Sequence, residues 1–336
     1  MLSQFITIPP TSSYPLHITA KRYPFPRFDV NANPRARTLL VLHSTSFHKE
    51  TWEPSLSRLF DLATRERGEA LIREAWAVEC PNHGQSVELN EEALKKGEYA
   101  DSFSCEHYAV AIHHFLTSGV ADFSNRNLIG IGHSLGANAI LLLQHLLPRI
   151  TFSSLIIIEP MVSPAGGDKL APLRKKLITS ARRRRAAWPS RAEALMVLKE
   201  REGTKKWDGA VLELFVKHAI RDKEDGQVGL ACTREQEVVF VPTMYSDVAG
   251  ATEPVHDLDR VCHLIPVHLI LGKIKDFIPA KVHEALTSPT SGRVYASISV
   301  IEGTGHLIPQ EKPKELGTAI YDILTGKKGV PPKPRL

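Results

Sequence analysis

No stretch of this chain approaches the run of roughly 18 apolar residues that crosses a bilayer, so a helical membrane span is not expected. Cysteine is scarce. Cys80, Cys105, Cys232 and Cys262 are the 4 among 336 residues, and no two stand as C-x-x-C. That scatter argues against a zinc site and a disulfide framework, and leaves free thiols in a reducing compartment. The opening "MLSQFITIPPTSSYPLHITAKRYPF" lacks a charged-then-apolar leader pattern, so synthesis in the cytosol is the expectation. Charge of one sign is in small excess only, 42 Lys and Arg against 37 Asp and Glu, a net +5. Part of it sits in "ARRRRAAW" at 181–188. No nucleic-acid motif or interleaved aromatic pattern accompanies that run, and a nucleic-acid partner is not expected. What remains is an ordinary globular composition, 43% hydrophobic and 24% charged. The length suits one large core or a core with an inserted subdomain.

Short apolar runs alternate with segments of helix length. "PLHITAKRY" (15–23) alternates as a half-buried strand does, and "RTLLVLH" (37–43) is continuous, as a buried parallel strand is. "AWAVEC" (75–80), "NLIGIGH" (127–133), "SSLIIIEP" (153–160), "VHLILG" (267–272) and "GRVYASISVIEG" (292–303) continue the series. Between them, 55–68 has helical spacing and ends at Gly68, and 104–119 starts on Ser104 as a candidate N-cap. Residues 135–147 form an apolar helix stopped by Pro148, and 313–324 a closing helix with Pro at its start. This alternation predicts parallel βαβ units and an α/β sheet covered on both faces. The rhythm fails from 161 to 260, a charged stretch rich in helix formers and without a clear buried strand. It reads as a helical cap inserted between core segments 1–160 and 261–325, with a flexible Pro- and Lys-rich tail at 326–336.

The sharpest motif is "GHSLG", Gly132 to Gly136, set between a predicted strand and a predicted helix. G-x-S-x-G in that context describes the nucleophile elbow of α/β-hydrolases. The glycines permit a crowded turn that lifts the Ser134 hydroxyl over a helix N-terminus, where free N–H groups favour an anion. A Ser hydroxyl needs a base. Of 15 histidines, His306 lies in the Gly-rich loop "IEGTGHLIPQ" after the last predicted strand, as the order Ser, acid, His requires. Two carboxylates compete for the acid. Glu159 ends "LIIIEP", where burial demands a partner such as imidazole. Asp276 follows the next core strand, the usual position for this fold, though as G-x-x-x-D, one residue longer than usual. The backbone N–H groups of Leu135 and Thr45 are the candidate oxyanion donors. Ser44 stands where glycine is common, which bears on how that loop turns. "ECPNHGQS" (79–86) has the form of the hydrolase segment that steadies the neighbouring loop.

These motifs make the chain resemble an α/β-hydrolase on both flanks of the cap. Its less generic pieces, "HKETWEP", "GIGHSLGANAI", "LLPRITFSSLIIIEPMV" and above all "WPSRAEAL" (188–195) in the cap, are similar to a narrower family. These are the fungal peroxisomal hydrolases of toxin and secondary-metabolite clusters, among them the acyl-coenzyme A hydrolase of mycophenolic acid biosynthesis. The resemblance implies that the acid follows the strand "LIIIEP", which favours Glu159 over Asp276. The final tripeptide Pro334-Arg335-Leu336 resembles a degenerate S-K-L address, which implies a peroxisomal import receptor as partner; otherwise the chain is cytoplasmic.

The reaction expected is hydrolysis of an acyl thioester (acyl-CoA) or ester, with no cofactor and no metal. Arg182, Arg183, Arg184 and Arg185 are candidate ligands for coenzyme A phosphates, as guanidinium forks suit phosphate; the competing reading is a solvated helix face. The rival functions are a lipase or carboxylesterase on uncharged esters and a catalytically silent ligand-binding protein of the same fold. Epoxide hydrolases and haloalkane dehalogenases need Asp at the nucleophile, which Ser134 argues against. Oligomeric state, a homodimer included, stays open.

Overall fold

The computed structural model describes residues 1–26, 33–66, 71–237 and 253–327. The chain builds strands β1 (Gln4–Ile8), β2 (Ile18–Pro24), β3 (Arg37–Leu42), β4 (Ile72–Val78), β5 (Asn127–His133) and β6 (Ser154–Ile158). After them come the short β7 (Ala187–Trp188), β8 (Ile220–Asp222) and β9 (Val228–Leu230), then β10 (Val267–Gly272) and β11 (Ser297–Ile301). The main sheet has 8 strands in the order β1-β2-β4-β3-β5-β6-β10-β11. It is parallel from β4 to β11, with β1 and β2 added antiparallel at one edge.

The continuous apolar runs work because side chains alternate across a sheet buried on both faces. Leu39 and Val41 of β3 enter one core cluster, Leu40 and Leu42 the other. Helices Glu53–Arg65 and Pro313–Thr325 cover the first face through Leu56, Leu59, Leu316 and Ile320. Helices Cys105–Thr117, Leu135–Leu142 and Glu253–Val261 cover the second. Ser104 caps its helix as expected, its hydroxyl accepting the His107 N–H at 3.3 Å. The helix expected to stop at Pro148 tightens earlier, at Leu143–His145. Gly68 and the tripeptide Pro334-Arg335-Leu336 lie outside the described residues. All 4 cysteines are buried and free, and no helix among the described residues is long and apolar enough to cross a membrane.

In the stretch read as a helical cap, 161–260, the described residues form helices Ala171–Arg183, Arg191–Glu200 and Gly209–His218. The same stretch also carries a 3-stranded antiparallel sheet, β7-β9-β8, whose strands are too short to show a period of two. A third apolar cluster, with Trp188, Leu198, Leu212 and Phe215, gathers around Phe47 from the core loop after β3. Helix Glu253–Val261 instead joins the core layer through Val255, Leu258 and Val261, so a boundary at 260 cuts through a core helix. β1 escapes sequence reading because, as an edge strand exposed along most of its length, it carries little hydrophobic pattern.

The elbow glycines are required by close approach. A Cβ on Gly132 would sit 2.4 Å from Gly136 O, and one on Gly136 2.3 Å from Leu42 O. Both obstacles are backbone, so they cannot rotate aside. Gly136→Ala is therefore expected to lower stability by about 3 kcal/mol, the upper end of overpacking costs, read from urea unfolding. An unchanged midpoint would show that the helix can retreat from β3 without loss.

Candidate active site

Ser134 follows β5 directly and adopts φ 53°, ψ −112°, a conformation that L-residues tolerate only when the surroundings hold it. Here its N–H donates to Ile158 O at 2.9 Å and its C=O accepts from Ala137 N at 3.0 Å. One strand over, Glu159 follows β6 with φ 44°. The loop after β11 brings His306 between them. His306 Nε2 lies 3.0 Å from Ser134 Oγ, and His306 Nδ1 lies 3.2 Å from Glu159 Oε2. The carboxylate can only accept, so Nδ1–H donates to it and Nε2 is left to accept from the hydroxyl. Ser134, Glu159 and His306 are each at most 4% exposed.

Asp276, the alternative acid, does not bond the ring. Its Oδ1 accepts the backbone N–H of His306 at 3.1 Å. A Cβ on Gly305 would fall 2.0 Å from that oxygen, so the glycine is what lets the carboxylate reach the loop. The two candidate acids thus grip the same residue, one by its side chain and one by its main chain.

Several contacts were not anticipated. Glu159 Oε1 accepts Gly272 N–H at 2.8 Å, and Oε2 also accepts from His283 Nε2 at 3.2 Å. Burial alone would push the Glu159 carboxyl up, but the bonds from His283 and His306 outweigh it and hold the group well below the usual carboxylate range. His133, which precedes Ser134 in the motif, donates its Nε2–H to His306 O at 2.8 Å. Burial first, and the nearby His306 second, push His133 down to about 3, which keeps it a neutral donor. Phe277 stacks on the His306 ring at 4.4 Å and 12°. Nothing local in the sequence marks these residues.

Leu135 opens helix Leu135–Leu142, so its N–H has no intrahelical acceptor. Thr45 lines the same cavity as Ser134 and His306. The residue that turns the loop through positive φ is Ser46, at 67°, so Ser44 in place of glycine needs no left-handed backbone. Ser46 N–H donates to His83 Nε2 at 2.8 Å, while His83 Nδ1–H donates to Asn82 Oδ1 at 2.7 Å. The segment "ECPNHGQS" therefore braces the loop directly. Its Glu79, fully buried, accepts Lys49 N–H at 2.8 Å and Lys49 Nζ at 2.7 Å. Burial raises the Glu79 carboxyl by itself, but Lys49 and then His43 reverse the sign and leave it depressed.

A cavity of about 320 Å³ opens on Ser134 and His306 and is walled by Trp188, Trp207, Phe215 and Phe277. The arginine run does not act as one group. Arg182 and Arg183 are exposed and are absent from the lining, whereas Arg184 and Arg185 reach it. Arg184 pairs with Glu237, and Arg185 with Glu193 at 2.8 Å. Among the described residues, no group of three or more His, Cys, Asp or Glu is placed to hold a metal.

A parallel sheet that ends in a strained Ser, a His-bearing loop and a buried carboxylate fits the nucleophile-elbow architecture. The chain belongs to the alpha/beta hydrolase family, whose model matches residues 39–319. Among curated relatives, the abhydrolase domain-containing protein AKT2 of Alternaria alternata is 29% identical over 227 residues, 60% of this chain and 84% of that protein. The type I acyl-CoA thioesterase mpaH of Penicillium brevicompactum is 31% identical over 194 residues, covering 56% of this chain and 40% of the relative. Among solved structures, the peroxisomal alpha-beta-hydrolase Lpx1 of Saccharomyces cerevisiae superposes with a TM-score of 0.72 at 19% identity, over 100% of this chain and 93% of that one. The thioesterase domain from the curacin biosynthetic pathway gives 0.66 at 13% identity, over 95% and 99%. At these identities the structural likeness is one of fold. Esterases and thioesterases recur among the relatives and neighbours, and the family is one of hydrolases.

The buried Glu79 charge has a consequence for pH. A carboxyl depressed on folding adds stability above its unfolded value, near 4.3, and loses that contribution as pH falls below it. Glu79→Gln removes the group that must be protonated. Between about pH 6 and about pH 3 its unfolding free energy is expected to fall less steeply than in the unsubstituted protein. Parallel curves in urea titrations would deny Glu79 this role.

Proposed function

We propose that the chain is a serine hydrolase of acyl thioesters, with acyl-coenzyme A as substrate class, working through Ser134, His306 and Glu159. The observation that carries this is the unbroken hydrogen-bond chain from Ser134 Oγ through both nitrogens of His306 to Glu159 Oε2. In this reading His306 Nε2 takes the hydroxyl proton as Ser134 Oγ bonds to the acyl carbon. The Leu135 and Thr45 N–H groups receive the oxyanion, and the C–S bond breaks. A thiolate with a pKa near ~8.5 leaves with little need of an acid, and the His306 cation can still supply it the proton. Water, deprotonated by His306, then attacks the acyl carbon and frees the carboxylic acid and Ser134. Glu159 stabilises the His306 cation throughout. Residues 161–237 act as the cap that closes the aromatic cavity over the acyl group. The acyl-CoA thioesterases among the relatives support the choice of thioester.

A second reading, a carboxylesterase of uncharged esters, gains support from the arginine run. Arg182 and Arg183 face solvent and Arg184 and Arg185 are ion-paired, which weakens the run as a phosphate clamp. A panel of acyl-coenzyme A thioesters and simple esters, assayed with Ser134→Ala as control, separates the readings. Turnover of thioesters well above esters supports the first, and the reverse order replaces it with the second.

The acid assignment has its own measurement. Glu159→Gln is expected to lower kcat on the order of 10⁴-fold. Asp276→Asn, which loosens only the main-chain grip on the loop, is expected to cost no more than about 10²-fold. The opposite order would transfer the role to Asp276.

A further inference from the structure

Glu159 Oε2 is shared by two imidazoles. His306 Nδ1 and His283 Nε2 each lie 3.2 Å from it, and they come from different elements, the loop after β11 and helix Ala280–Thr287. His283 is 4% exposed and is not among the residues that line the cavity. An imidazole lone pair does not turn toward an anion, so the His283 proton sits on Nε2. Its Nδ1 is buried with no hydrogen-bond partner among the described residues, which suits a bare lone pair and a neutral ring. A buried charged ring would have left an unmatched N–H there.

Resting on the reading of Ser134, His306 and Glu159 as the reacting groups, we propose that His283 is a positioning residue. Its Nε2–H holds Glu159 Oε2 in line with His306 and, by drawing on that oxygen's charge, sets how strongly the carboxylate stabilises the His306 cation. The charge argument follows from the donor set. Oε1 is satisfied by Gly272 N–H, so it does not compete. Without His283, Oε2 would face His306 alone. The pair would then hold the imidazolium more tightly, and His306 would give up its proton less readily. The carboxylate would also lose one of the bonds that stop it rotating away from the ring.

The other groups that face this pair leave His283 as the adjustable one. His133, on β5, lies with its ring 5.2 Å from that of His306, but it bonds the main-chain carbonyl and is kept neutral by burial. Asp276, in the loop after β10, is engaged with the His306 N–H. Phe277 covers a ring face and carries no charge.

The test uses the full chain and reads the nucleophile itself: the rate at which a fluorophosphonate labels Ser134 from about pH 5 to about pH 9, with Ser134→Ala as blank. The rate should rise with pH as His306 loses its proton. In His283→Leu, which keeps bulk but no donor, the rise is expected about one pH unit higher, with a maximum rate about 10-fold lower. His283→Gln, which carries an N–H at similar reach, should return the rise to its original position. A rise that stays in place in His283→Leu, or that moves as far in His283→Gln, overturns the proposal. If His283→Leu does not fold, nitrogen NMR of histidine-labelled unsubstituted protein decides. A proton on His283 Nε2 near neutral pH supports the assignment, and one on Nδ1 overturns it. Absence of labelling at Ser134 in the unsubstituted protein would instead overturn the serine-hydrolase reading and this inference with it. That result is distinct from intact labelling whose pH dependence fails to move.

Discussion

The anion at Glu159 organises everything around it. A carboxylate removed from water carries a desolvation cost of several kcal/mol unless its lone pairs are met by donors. Here the donors come from separate elements. Gly272 N–H reaches it from the end of β10, His306 from the loop after β11, and His283 from helix Ala280–Thr287. None of these groups is near Glu159 in sequence, so the charge can be satisfied only in the folded chain. The end of β10, the helix and the His306 loop are therefore tied to one another through a single side chain. A fluctuation that moved any of them would expose part of an uncompensated charge. That is a stronger restraint than apolar packing alone provides, because hydrogen-bond energy falls steeply with distance and angle.

A second buried charge does the same on the opposite side of Ser134. Glu79 holds Lys49 by both its main-chain N–H and its ammonium, and the neighbouring His83 holds Ser46 N–H. The loop after β3 is thus fixed at two points just beyond Thr45, at Ser46 and again at Lys49. Between these two abutments the Ser134 hydroxyl faces a cavity walled by the segment after β6 together with Phe277 and Leu307. Donors fixed before the reaction need no rearrangement as charge develops, which is where electrostatic catalysis gains most.

Much of this was legible because it is local. The G-x-S-x-G turn needs glycines at fixed offsets, and its clash distances fall on backbone only a few residues away or on the adjacent strand. His306 is marked by its Gly-rich loop and its place after the last strand. The choice between Glu159 and Asp276 was not settled by spacing, and the reason is geometric. β6 and β10 are adjacent in the sheet, so carboxylates past both ends converge on one loop. Which takes the ring and which the main chain depends on side-chain reach of a few ångströms. His283 left no signal, since its helix has no motif and its partner lies 124 positions away. Arg182 and Arg183 end helix Ala171–Arg183 and face solvent, whereas Arg184, just past the helix in extended backbone, reaches the cavity with Arg185.

Backbone strain shows how the two halves of the site are coupled. Ser134 and Glu159 are both non-glycine residues at positive φ, a placement that costs on the order of 1–2 kcal/mol per residue. They stand one residue beyond the ends of β5 and β6, which are neighbours in the sheet. Each is held there by a bond of the sheet type that continues past its strand, Ser134 N–H to Ile158 O at 2.9 Å and Glu159 N–H to Ile270 O at 3.0 Å. The ladder thus runs one step further than the regular strands, and that step turns both side chains toward His306. Because Ile158 accepts from Ser134 and directly precedes Glu159, the hydroxyl and the carboxylate are set by the same short piece of backbone. Their separation is fixed by the spacing of adjacent strands, and the imidazole is the one member of the group that a loop has to deliver.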